Sequence, residues 1–350
     1  MTEKITLAHG AGGEQMDRFI KKTILKHLTQ QDNVEIPLSM LDDSSVIDDI
    51  VFSTDSHTVQ PLFFPGGDIG SLSVAGTVND VSVMGAQPLA LSSGLIIEEG
   101  FSFEEIDKII ESMSKTARKA GVPIITGDTK VVEHGAIQQC MINTSGIGKR
   151  TPILDKNFEI VRQYRKCSQR WLLDGNLKPG DEIIVSGTLG DHGIALMSFR
   201  EGYGFETTVR SDVACIHQLL KSLLEIGGII SAKDPTRGGL ANTVNEWSEK
   251  SNYGITLFEE EIPISEGVRA ACDLLGLDPL HIGNEGKVVV GVVKEKADEI
   301  LNQMKKHPLG KDAAIIGEVD EKKGYVKMKT EIGGKRIIPK PIGDPVPRIC

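Results

Sequence analysis

The hydrophobic pattern of the chain alternates between two periods. Apolar residues at helical spacing occur at Met16, Phe19, Ile20, Ile24 and Leu28, and again at Ile106, Ile109, Ile110, Met113 and Ala117, predicting helices after residue 13 and over 103–120. Between and after them, β-rich runs predict strands over 50–57, 89–97 and 123–132. Segment 68–86 fits neither amphipathic template, because it is apolar or small on nearly every side. It reads as a buried helix, yet it carries adjacent Asn79 and Asp80 at its centre, where an unpaired carboxylate is costly. The second half repeats the alternation. A Lys178-Pro179-Gly180 turn leads into a buried strand over 182–186, and Gly190-Asp191-His192-Gly193 opens a helix. Helices over 213–224 and 297–304 and strands over 255–258, 288–293, 313–319 and 325–328 follow. This alternation in both halves predicts two α/β or α+β domains.

Composition narrows the class. A chain of 350 residues, 39% of them apolar, can bury two cores. We expect domains at 1–150 and 173–332 and a tail at 333–350. Residues 151–172 are expected to be a linker or inserted loop, since Lys149, Arg150, Lys156, Arg162, Arg165, Lys166 and Arg170 gather there with Tyr164 and Cys167. A net charge of -10 argues against a nucleic-acid binder. No apolar run has the length to cross a bilayer and the polar start does not resemble a signal peptide, so a cytoplasmic protein is expected. Five cysteines (Cys140, Cys167, Cys215, Cys272 and Cys350) are an odd count without a C-x-x-C pair, which indicates neither a disulfide framework nor a structural zinc site. Basic neighbours make Cys167 a second, weaker thiol candidate.

Three features suggest chemistry. The loop His9-Gly10-Ala11-Gly12-Gly13 opens a helix, where backbone N–H groups can approach phosphate or serve only as a flexible lead-in. Asp43, Asp55, Asp80 and Asp128 stand at the ends of apolar elements, from which a compact fold could bring them onto Mg²⁺ and a nucleoside triphosphate. No Walker A sequence is present, so ATP would be held through metal-bridged carboxylates. Lys233-Asp234-Pro235-Thr236-Arg237-Gly238-Gly239 precedes a helix start where an anion could dock, although Asp234 could equally be a helix cap. Finally, residues 338–350 hold four prolines and end in Cys350. At roughly 3.1 Å per residue the segment from Lys335 onward could reach on the order of 50 Å, so its tip reads as a carrier thiol searching for an active site or as a frayed terminus.

Together these motifs resemble the HypE-type hydrogenase maturation proteins, carbamoyl dehydratases of the PurM-like (aminoimidazole ribonucleotide synthetase) superfamily. The likeness runs through His9–Gly13, Asp42-Asp43, Thr54-Asp55-Ser56, Thr77-Val78-Asn79-Asp80-Val81, Thr126-Gly127-Asp128-Thr129-Lys130, Asp234–Gly239, Asn284-Glu285-Gly286-Lys287 and the terminal Pro347-Arg348-Ile349-Cys350. The acid motifs are shared with thiamine-monophosphate kinase and selenophosphate synthetase, whereas the terminal cysteine is specific. The resemblance implies an N-terminal half that forms a homodimer around a shared sheet, a C-terminal α/β half covering it, and MgATP between the halves. It also implies that a partner carbamoyltransferase charges the Cys350 sulfur and that this protein dehydrates the S-carboxamide to a thiocyanate. Cyanide then passes to iron on a maturation scaffold.

On the same ground, Asp43, Asp55, Asp80 and Asp128 hold Mg²⁺, and Gly10, Gly12 and Gly13 close over the triphosphate. Asn79, Thr129, Asp234, Thr236 and Arg237 support the phosphate site. Lys130 balances charge as phosphate transfers, and Glu285 takes a proton from the thiocarbamate nitrogen or forms a salt bridge with Lys287 instead. Two other readings are a small-molecule ATP-dependent ligase or kinase of the same superfamily, with no use for Cys350, and a non-catalytic scaffold.

Overall fold

The computed structural model describes residues 4–28, 33–200, 208–322, 324–343, 346 and 348–350. After a short helix α1 (Gly13–Phe19), the first half forms a sheet from β1 (Ser45–Ile47), β2 (Ile50–His57), β5 (Gln87–Glu98), β6 (Ile124–Val132) and β7 (Cys140–Lys149), with a small hairpin of β3 (Phe63–Phe64) and β4 (Gly67–Asp68) beside it. The strand order is β1-β2-β7-β5-β6, antiparallel except where β6 runs parallel to β5 through the crossover helix α3 (Phe103–Ala120). Ser102 caps α3, Gly121 ends it in the left-handed region at φ 70, and Ile109, Met113, Ala117 and Ala120 form its buried face.

Helix α2 (Ile69–Val83) is buried nearly all round, as its composition predicts. It lies between the sheet on one side and α3 with part of the second half on the others. Glycines on β7 permit the close approach: a Cβ at Gly146 would lie 2.8 Å from Thr77 Cγ2, and one at Gly148 2.3 Å from Val81 Cγ1.

The second half begins with α4 (Pro152–Tyr164), followed by β8 (Glu182–Val185), α5 (Asp191–Phe199), α6 (His217–Leu224), β9 (Ile229–Lys233), α7 (Gly239–Ser251), β10 (Ile255–Phe258), α8 (Glu266–Leu275), β11 (Val289–Val292), α9 (Ala297–Lys306), β12 (Ala314–Val319), β13 (Val326–Lys329) and β14 (Lys335–Ile337). Its sheet order is β14-β13-β10-β12-β8-β11-β9. The strands predicted over 182–186, 288–293 and 313–319 are neighbours here, and their Val and Ile side chains form the main core with Trp171, Trp247 and the buried faces of α6 and α9.

Two expectations are corrected. Residues 151–172 are not an open loop: α4 buries Leu154, Phe158 and Val161 in the main core. Its basic neighbours make internal contacts, with Arg165 bonded to both Asp181 oxygens at 2.6 and 2.8 Å and Arg170 paired with Glu35 and Asp49. The arm from 333 onward, expected to be a flexible tail, adds β14 to the sheet and then lies docked across both halves. Ile338, Val346 and Ile349 are buried, and Lys340 bridges Asp17 and Glu249 at 2.7 Å each. No disulfide joins the five cysteines, and among the described residues no helix is long and apolar enough to cross a membrane.

Candidate active site

Where the two halves meet, a cavity of about 270 Å³ is lined by Gly12, Gly13, Asp43, Asp55, Asp80, Asp234, Thr236, Arg237, Glu285 and Cys350, among others. A second cavity of about 280 Å³, reached past Gly10, shares only Arg237 and Cys350 with it. The last residue of the chain therefore forms part of the wall between two chambers.

Each acid arrives on a separate element. Asp55 lies on the inward-facing run of β2, in line with the buried Val51, Ser53 and His57, and sits 3.5 Å from His57 Nε2. Asp80 projects from α2 and accepts from Ser53 Oγ at 2.9 Å. Asp43, on the loop before β1, accepts from Lys233 Nζ at 2.8 Å, and Asp234 follows β9. The adjacent pair in the buried helix is thereby explained. Asn79 is a strut, donating to the Ala214 and Glu285 carbonyls and accepting from the Ile216 N–H at 2.9 Å, while Asp80 faces the cavity.

Charge crowding decides the protonation of the group. Burial, then repulsion from Asp234, Asp55 and Asp43, lifts Asp80 well above the usual carboxylate range. Burial and Asp43 push Asp234 up to about 7. Burial, followed by Asp234 and Asp55, raises Glu285 well above its ordinary value. Asp55 differs: burial works against its charge, but His57 and Arg237 outweigh it and hold the carboxyl low. Arg237 is raised above its ordinary value first by negative charge at Cys350 and then by Asp55 and Glu285.

Two contacts that the sequence allowed are not formed. Lys287 pairs with Asp212 at 3.2 Å and Asp191 at 3.6 Å, not with Glu285, whose Oε1 is buried without a hydrogen-bond partner. Asp234 does not cap α7: Gly238, at φ 76, is the N-cap, and Asp234 Oδ2 is likewise buried and unpartnered.

The glycine loop also meets the arm. A Cβ at Gly13, φ +75, would lie 2.0 Å from the Pro341 carbonyl oxygen, and the Glu14 N–H donates to that oxygen at 3.0 Å. The loop is a seat for the arm as well as a wall of the cavity.

Asp128, Thr129 and Lys130 are not brought to these acids within one chain. They lie on β6, the sheet's edge, separated from β2 by β7 and β5 and so by about 14 Å of strand spacing. Asp128 and Lys130 pair with each other at 3.1 Å with both side chains about 70% exposed, and Asp128 and Thr129 line a broad cleft between β6 and α3. Conversely, sequence reasoning missed Lys233. Its Nζ lies 2.8 Å from Asp43, 3.1 Å from Asp174 and 3.2 Å from Glu246, and Lys250 joins the same network through Asp174 at 2.6 Å. The only signal was a lysine closing the apolar run Ile229-Ile230-Ser231-Ala232 immediately before Asp234.

The donor set suits magnesium. Asp43, Asp55, Asp80 and Asp234 offer oxygen alone, and the raised carboxyls with an orphaned Asp234 oxygen mark a region short of positive charge. Among the described residues no three such side chains already converge as a coordination set.

Similarity to known proteins agrees with this architecture. Residues 41–149 match the AIR synthase related protein N-terminal domain, and residues 178–329 its C-terminal domain. The carbamoyl dehydratase HypE of Bradyrhizobium diazoefficiens is 46% identical over 99% of this chain and 96% of its own. A HypE solved in complex with HypF superposes with a TM-score of 0.82 at 43% identity, over 92% of this chain and 99% of that one. A HypE solved in complex with ATP gives 0.78 at 40% identity, over 99% and 100%. The two-sheet fold, the inter-half acids and the terminal cysteine thus have one common explanation: the chain belongs to the HypE family of the PurM-like superfamily.

Proposed function

We infer that this protein is an ATP-dependent carbamoyl dehydratase that acts on an S-carbamoyl group carried by its own Cys350 and serves [NiFe]-hydrogenase maturation. The observation that carries this reading is the position of Cys350 in the wall of the acid-lined cavity, with Arg237 and Glu285 around the same space. A small-molecule ligase or kinase would leave the docked arm without a task.

The reaction divides among this chain's groups. The carboxamide oxygen attacks the γ-phosphorus of ATP and ADP departs, turning a poor leaving group into phosphate. Loss of both nitrogen protons and expulsion of phosphate then leave S–C≡N. Glu285, buried with Oε1 unpartnered, would take a nitrogen proton as the carboxylate, and the burial that raises its pKa makes it the stronger base. Arg237 offsets negative charge beside Cys350. Gly12 and Gly13 bring backbone close to the cavity, and Thr236 and Asp234 border its phosphate end. Magnesium held by Asp43, Asp55, Asp80 and Asp234 would neutralise the charge that builds on the transferring phosphoryl group.

The rest of the cycle needs partners. A carbamoyltransferase, for which the HypF complex of a relative is the support, loads Cys350 after the arm leaves its seat. A maturation scaffold accepts cyanide on iron. The first sheet supports a homodimer: α2 and α3 cover one face, whereas Phe52, Leu89, Ile96 and Ile147 remain exposed, as do Ile125 and Val131 on β6. A second copy against that surface would bury them and bring Asp128, Thr129 and Lys130 toward a neighbouring cavity.

The direct test is intact-mass measurement after S-carbamoylation with cyanate, with and without MgATP, using Cys350→Ala as control. Loss of one water that requires ATP and Cys350 is expected. Carbamoyl-Cys350 that persists while ATP is bound would overturn the reading.

A further inference from the structure

The Gly190-Asp191-His192-Gly193 segment has no part in the reaction above, yet it touches the arm one residue from the thiol. His192 is fully buried on the first turn of α5, and its Nε2 lies 2.8 Å from the Ile349 carbonyl oxygen. A carbonyl can only accept, so Nε2 carries the hydrogen and Nδ1 accepts from Ser211 Oγ at 2.7 Å. Ser211 is itself fixed, its N–H donating to the Pro65 carbonyl at 2.7 Å and its oxygen accepting from the Val213 N–H at 3.1 Å. The Phe64 ring packs edge-on against the imidazole at 5.4 Å. Burial lowers the His192 pKa, in keeping with a neutral ring.

The surroundings form a slot for this part of the arm. Ile349 and Val346 pack with Ile194, Val268 and Ile282 in a small core of their own. Gly193 and Gly283 clear the space: a Cβ at Gly283 would stand 2.7 Å from Ile349 Cδ1, and one at Gly193 3.4 Å from it. On the opposite side, the Thr58 N–H and hydroxyl donate to the Cys350 oxygen at 3.0 and 3.2 Å. The Gln60 N–H and the Arg200 guanidinium both donate to the Arg348 carbonyl, at 3.3 and 2.8 Å. Successive carbonyls at the end of the arm are thus gripped by both halves of the protein.

We infer that His192 is a positioning residue for the dehydration, whose Nε2–H holds the Ile349 carbonyl and so sets the Cys350 sulfur between the two cavities. This rests on the reading of Cys350 as carrier. Because the arm must also leave for charging, the bond sets the share of time the thiol spends docked. One buried hydrogen bond shifts such an equilibrium by about tenfold.

The test compares His192→Asn, whose shorter amide can still meet Ser211 but cannot reach Ile349, with His192→Gln, whose amide reaches the Nε2 position. Both are made in a Cys167→Ser background. Cys140, Cys215 and Cys272 are held back by burial, which pushes their thiols up to about 11, 12 and 11. Alkylation of Cys350 by a maleimide, followed by intact mass, is expected to be about tenfold faster in His192→Asn and within twofold of the parent in His192→Gln. MgATP affinity should stay within twofold in both, because His192 does not line the acid cavity. Single-turnover water loss from the carbamoylated protein should fall in His192→Asn and recover in His192→Gln. Ser211→Ala, which removes the hydroxyl that orients the ring, is a milder second variant expected to change alkylation in the same direction. Equal alkylation rates in the parent, His192→Asn and Ser211→Ala would overturn the inference, as would a Gln variant no better than Asn. If the parent itself fails to lose water with MgATP, the dehydratase reading falls while the alkylation comparison still decides the role of His192.

Discussion

Lys233 Nζ lies 2.8 Å from Asp43 Oδ1, and this contact between the last residue of β9 and the loop before β1 joins the two halves of the protein inside the acid cavity. The lysine also meets Asp174 and Glu246, so a single buried cation compensates three carboxylates from three places in the chain. Burial opposes its charge, but Asp174, Asp43 and Glu246 overcome that and hold it well above its ordinary pKa.

Removing that cation should therefore be costly. Lys233→Met leaves buried carboxylates without their partner, and a loss of about 3–5 kcal/mol is expected by urea unfolding. Lys233→Arg should retain most of the stability. Stability of Lys233→Met equal to the parent would show that water or rearrangement already serves these acids.

The contribution of the cavity acids to stability should fall with rising pH in the nucleotide-free protein. Asp80, Asp234 and Glu285 have folded pKa values above their unfolded ones, so their contribution is full below about pH 4 and is lost as pH rises through the folded values, about 7 for Asp234. Asp55 and Asp174 are held low and act only below that window. Burial lowers the pKa of His57, His192, His217 and His281, which act in the opposite sense, so the parent is compared with Asp234→Asn. From about pH 5.5 to 7.5 the parent's thermal midpoint is expected to drop by a few degrees relative to that variant, with MgATP narrowing the difference. Parallel pH profiles in the two proteins would contradict the charge-crowded cavity.

Glu285→Gln separates chemistry from packing. The amide keeps the size and shape of the carboxyl, so unfolding free energy should change by less than about 1 kcal/mol. The single-turnover dehydration rate should drop roughly 10²–10⁴-fold. Full activity in this variant would assign the proton to another group.

Gly13→Ala tests the seat of the arm. The new methyl cannot coexist with the Pro341 carbonyl 2.0 Å away, and φ +75 is itself unfavourable for alanine. A loss of about 1–3 kcal/mol and faster alkylation of Cys350 are expected together. Destabilisation with unchanged alkylation would mean that the arm re-seats without the loop.

Cys350→Ala should abolish water loss yet bind MgATP within about twofold of the parent by titration calorimetry, since a thiol-to-methyl change removes no phosphate ligand. Loss of ATP affinity would make Cys350 part of the nucleotide site and not its substrate.

Much of this could be read along the chain. The 103–120 helix, the 50–57 strand and the buried 69–83 helix were legible because periodicity and the polarity of every side chain are local properties. The buried Asn79-Asp80 pair was visible as a contradiction, although not as a strut beside a site residue. The basic run at 149–171 misled, because charge was read as solvent exposure while Arg165 and Arg170 are paired with acids and α4 buries Leu154, Phe158 and Val161.

By itself, the sequence determined the elements and the supply of donors: acids at their ends, a glycine loop, a stiff arm and a terminal thiol. Only the tertiary structure decided which of them meet. Asp128 and Asp234 look alike in sequence, but β6 is an edge strand and β9 ends at the interface between the halves. Lys233 became the central cation and His192 a grip on the arm through contacts 190 and 157 residues away along the chain. The physical reason is one of range. Periodicity is set by neighbours a few residues apart, whereas convergence depends on strand order and on where residues 333–350 come to rest.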